Sequence, residues 1–110
     1  MSEQLAEYRR LQQDLMSQLA IAKNNKVVLQ KTTTLLYQQY SAGTITQETY
    51  NLQMHQFLKG RTAEYWNTVY EDHITKCEEG LVYYAGKINE ASTQIEGKKS
   101  TLSKIVVVLL

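Results

Sequence analysis

The chain has 110 residues, of which 43% are hydrophobic and 21% charged, with a formal net charge of +1. That length supports one core rather than two, and the apolar share is too high for a disordered chain. The near-neutral balance excludes a general phosphate-backbone binder, which needs surplus Lys and Arg on one face, so nucleic acid is not expected as a partner.

Proline is absent, so no imino acid interrupts a helix anywhere. The one cysteine, Cys77, has no internal disulfide partner, which points to a reducing, cytoplasmic setting. The opening MSEQLAEYRR is polar and lacks the apolar core of a signal peptide.

The first helix is predicted over 2–41. Ser2 is its N-cap, Glu3 and Glu7 suit the positive end of the dipole, and no Gly or Pro follows until Gly43. Tyr8, Leu15, Ala22, Leu29 and Leu36 recur every seven residues. The companion row of Leu5, Gln12, Leu19, Lys26, Thr33 and Tyr40 is half polar. A third row, Ile21, Val28 and Leu35, lies beside these, so the apolar face drifts around the helix.

Gly43 is placed to close that helix in the left-handed conformation. A short second helix follows over 46–59, capped by Thr46, with Tyr50, Met54, Phe57 and Leu58 on its apolar face. It ends near Lys59-Gly60.

Thr62 caps a long third helix, predicted over 62–106. From Tyr70, steps of four and three give Ile74, Cys77, Leu81, Tyr84, Ile88, Ala91, Ile95, Lys98, Leu102, Ile105 and Leu109, and only Lys98 fails to be apolar or aromatic. A 3.5-residue period of that length belongs to helices that coil around one another. The expected architecture is therefore all-α, one helical domain over 1–110: an antiparallel, coiled-coil-like hairpin of two long helices with the short helix at the turn. Placing Tyr40 opposite Thr62 sets Lys23, Lys26 and Lys31 against Glu79, Lys76 and Glu71, with Asp14 beside Lys87. A parallel intermolecular coil is the rival, but it favours Leu at d, and here that row reads Tyr, Cys, Tyr, Ala, Lys, Ile.

Chemistry-bearing clusters are weak. His73 and Cys77 share a face at i, i+4 and could hold two zinc ligands with His55 as a third, but a structural site wants four. Glu71, Asp72, Glu78 and Glu79 read as a solvated face opposite lysines rather than as acid–base machinery. The five glycines are scattered singly, so there is no phosphate loop. No enzyme, metal or cofactor is expected.

Partner-binding candidates are clearer. Tyr37, Tyr40, Tyr50, Phe57, Tyr65, Trp66 and Tyr70 crowd the three-helix end, as a local core from which Tyr65 and Trp66 are the ones expected to be exposed. The Lys59-Gly60-Arg61 corner beside them is basic. Ile21, Val28, Leu35 and Tyr83 flank the seams as a second surface. The run Ile105, Val106, Val107, Val108, Leu109 and Leu110 follows Lys98, Lys99 and Lys104. With six apolar residues against the roughly 20 of a membrane span, it suits burial in a homo- or hetero-oligomer, contact with a membrane surface, or the start of a longer apolar segment. The expected function is a non-enzymatic scaffold or adaptor subunit that mediates protein–protein assembly. The alternative is a membrane-associated remodelling or tethering component that uses the basic, apolar C-terminus.

Overall fold

A computed structural model describes the backbone of residues 2–109 and the side chains of residues 3–93. All regular structure among the described residues is helical: α1 is Ser2–Ser41, α2 is Gln47–Leu58 and α3 is Ala63–Leu109, joined by two short turns. The helix boundaries expected from sequence hold to within three residues. The largest difference is at the C-terminus, where α3 continues through the β-branched run to Leu109 instead of stopping at 106. Neither Gly nor Pro follows Gly97, so nothing in the sequence ends the helix earlier.

Local chemistry fixes the corners. Gly43, at φ 76°, closes α1: its own amide donates to the Tyr40 carbonyl, and the Thr44 amide donates to that of Gln39. That pair of bonds satisfies two of the carbonyls a helix end leaves open. Thr46 caps α2, its hydroxyl oxygen accepting from the Thr49 amide at 3.1 Å, and Thr62 caps α3 by accepting from the Tyr65 amide at 3.0 Å. The end of α2 repeats the first closure with a residue less suited to it. Lys59 adopts φ 55° and ψ 41° and donates to Gln56, while Gly60 donates to His55. A side chain in this left-handed region costs roughly 1–2 kcal/mol.

The chain forms two compact units, Met1–Ser17 with Cys77–Leu110, and Gln18–Lys76. In the first, the start of α1 lies against α3. The Tyr8 and Tyr84 rings stand 6.0 Å apart, and Leu15 reaches Gly80 so closely that a Cβ there would lie 2.7 Å from Leu15 Cδ1. The absence of a side chain at Gly80 leaves the space that the end of Leu15 fills.

In the second unit, Leu29 and Leu36 of α1 and Leu58 of α2 are buried. Tyr40 stacks on Tyr50 at 4.9 Å, which ties α2 to the end of α1. Lys26 Nζ meets Glu71 Oε1 at 3.0 Å across α1 and α3. The register expected from charge had put Lys31 there, five residues further along. Lysines at 23, 26 and 31 present the same charge, so charge matching cannot choose among them, whereas side-chain packing can.

Burial follows the heptad rows. From Tyr70 to Ala91, every seam residue expected on α3 is buried or half-buried, with Cys77 only 2% exposed. The two expected core rows of α1 are likewise covered from Leu5 to Tyr40, and so is the Tyr50–Met54–Phe57–Leu58 face of α2. The remaining seam positions, Ile95 to Leu109, lie outside the described side chains.

Candidate interaction site

Covering the seams leaves specific apolar residues outside. On α1, Ile21 is 59% exposed, Val28 42% and Leu35 53%. Spaced by seven, and each one residue before buried Ala22, Leu29 or Leu36, they form one stripe flanking the covered rows. The positions around it at three and four residues, Ser17, Gln18, Asn24, Asn25, Thr32, Gln38 and Gln39, are polar and uncharged, and Lys31 is the one charge among them. Exposed apolar residues joined into a patch mark interaction surfaces more often than scattered ones do.

The stripe reaches a hollow in the same unit. Val28 and Leu29 of α1, Phe57 of α2, and Trp66 and Tyr70 of α3 line a cavity of about 230 Å³, with Asn25 and Lys59 as its polar lining. Trp66 is the centre of this corner. Its indole N–H donates to the Leu58 carbonyl at 2.7 Å, a second bond to an oxygen that also accepts from the Arg61 amide at 3.0 Å. Its ring stacks on Tyr70 at 6.1 Å, and the Lys59 ammonium stands 6.0 Å from its centroid. The strained Lys59 backbone is thus held where its side chain meets an aromatic face. Tyr65 packs edge-on against Trp66, is itself exposed, and carries the Arg61 guanidinium 4.9 Å from its ring.

Sequence reasoning grouped Tyr65 with Trp66 as exposed. They part here: Tyr65 is open, while Trp66 is half-buried and engaged with α2. The structure brings Val28 and Trp66 to one cavity, a juxtaposition no spacing rule shows because they lie on different helices. Asn25 carried no signal as a lining residue in the sequence; Phe57 had one in the aromatic cluster and Lys59 in the basic corner. Tyr83, also expected to be exposed, stands on the other unit at 57% exposure. Ile105, Val106, Val107, Val108, Leu109 and Leu110, with the lysines before them, lie outside the described side chains.

The other clusters resolve into surface chemistry. Glu71 accepts from Lys26 and from Asn67, and the Lys26 hydrogen bond, with its charge, holds the Glu71 carboxyl below its ordinary range. Glu7 is lowered by its hydrogen bond to Arg10. His73 Nε2 lies 3.3 Å from Gln18 Oε1, and Cys77 is a buried free thiol. Among the described residues no group of three or more His, Cys, Asp or Glu could hold a metal ion. Among them, too, no helix is long and apolar enough to cross a membrane.

No protein-family model matches this chain, and neither a curated protein nor a solved structure matches it.

Proposed function

We propose that the chain is a non-enzymatic helical scaffold or adaptor subunit, folded on itself as an antiparallel coiled-coil-like hairpin and joined to other proteins through the faces the hairpin leaves open. The observation that carries this reading is the contrast within α1. Its two core rows are covered along the helix, while Ile21, Val28 and Leu35 stay exposed in a row of their own. Removing such residues from water contributes about 25 cal/mol per Å² of apolar area, a gain available only in a complex. The hairpin is supported by the Leu15–Gly80 approach in one unit and the Lys26–Glu71 pair in the other, which both join α1 to α3. A buried free thiol at Cys77 accords with a reducing, cytoplasmic setting.

The test is a photoreactive phenylalanine analogue placed singly at Ile21, Val28 and Leu35 in the native cell. Discrete, shared adducts at the three positions, absent from a control at Arg10, are the expected result. Equal labelling at all four positions, or none at any, would sink the reading.

A further inference from the structure

The Trp66 cavity is too small for the usual small-molecule site of roughly 300–1,000 Å³ and matches a single large side chain. Its surroundings are basic: among the described residues neither Lys59 nor Arg61 has a carboxylate within ion-pair range. A complementary surface exists on the other unit. There Val82 is 74% exposed, the highest value among the exposed large apolar residues, and Tyr83 stands beside it. Glu78 and Glu79 lie one turn before them on the same face, exposed and without an ion pair among the described residues. The nearby cations are already neutralised: Lys76 by Asp72 at 3.0 Å and Lys87 by Glu90 at 3.7 Å, though Lys87 also stands 5.6 Å over the Tyr83 ring.

Resting on the reading of the chain as an assembly subunit, we propose that the Trp66 cavity receives Tyr83 of a second copy of this chain. Glu79 of that copy meets Lys59, and Val82 covers the rim at Val28. The aromatic ring supplies the anchor, since Tyr and Trp dominate the energetic centres of interfaces. The charges set its orientation more than its strength. Donor and acceptor are different patches, so the contact is heterologous: each copy offers both halves, and association runs head to tail.

Sedimentation velocity over rising concentration tests this with two variants at exposed positions, each first checked for wild-type helicity. Lys59→Glu disables the cavity and Tyr83→Ser removes the anchor. The wild-type chain is expected to form a ladder of species above 12.7 kDa, and each variant alone to stay monomeric. Mixed, the two variants retain one intact pairing and are expected to stop at a 1:1 dimer. A wild-type chain that stays monomeric throughout, or variants that associate as the wild type does, would overturn the proposal. So would a cavity that takes only an acidic, tyrosine-bearing peptide of another protein. In each of these outcomes the photo-adducts at Ile21 and Leu35 report separately on the subunit reading.

Discussion

Gly80 and Gly86 lie in the same helix, six residues apart, and an alanine at each should behave differently. At Gly86 an added Cβ meets nothing within 4 Å, so Gly86→Ala gains the full helix-propensity difference of about 0.8–1.0 kcal/mol. At Gly80 the same Cβ would sit 2.7 Å from Leu15 Cδ1 and 3.6 Å from Cδ2. Carbon contacts favour about 3.5–4.0 Å, so Leu15 must move by most of an ångström. The obstructing atom is the terminal methyl of a half-buried leucine, so a rotamer shift of about 0.5–1.5 kcal/mol relieves it and offsets some or all of the propensity gain. Gly86→Ala should therefore raise the Tm by roughly 4–8 °C, while Gly80→Ala raises it by less or not at all. In a Leu15→Ala background the obstacle is gone, and Gly80→Ala should recover about 1 kcal/mol. Thermal and urea unfolding followed by circular dichroism measure all five chains. If Gly80→Ala stabilises the native chain as much as Gly86→Ala does, and Leu15→Ala does not enlarge that gain, the packing of Leu15 on Gly80 is wrong.

Three further outcomes follow from single contacts. Trp66→Phe keeps an aromatic ring but removes one of the two donors to the Leu58 carbonyl, the Arg61 amide remaining, and should cost about 0.5–1.5 kcal/mol in urea unfolding. Thr46→Ala removes the acceptor of the Thr49 amide and should cost about 0.5–2 kcal/mol by the same measurement, whereas Thr46→Ser should be nearly silent. The Glu71 carboxyl is held low in the folded chain, chiefly by its hydrogen bond to Lys26. Its contribution to stability is therefore present above the ordinary carboxylate range and disappears as the pH falls through the lowered folded value. An NMR titration should find Glu71 below its usual midpoint and returned toward it in Lys26→Met; an unmoved midpoint contradicts the ion pair.

Where a residue's own chemistry decides its local structure, the sequence was readable. Gly43, Thr46 and Thr62 announce the corners, and the seven-residue rows announce which faces are covered. Register was not readable, because equal charges at 23, 26 and 31 are interchangeable on paper while the Leu15–Gly80 approach is not. Lys59 was hidden for a similar reason. Gly60 is the expected left-handed residue after α2, yet the chain turns through Lys59 as well and sets it beside Trp66. The exposed row Ile21–Val28–Leu35 was visible as a drift of the pattern, but its meeting with the Trp66 cavity needs three helices in place.

The claim on which the rest depends is that the seams face each other within one chain, which is what leaves the outer row open. Cysteines at Leu15 and Gly80, with Cys77 replaced by alanine, test it directly under oxidation in dilute solution. The account predicts a disulfide inside single chains, seen as a faster-running monomer on a non-reducing gel. Covalent dimers, or free thiols throughout, would contradict it.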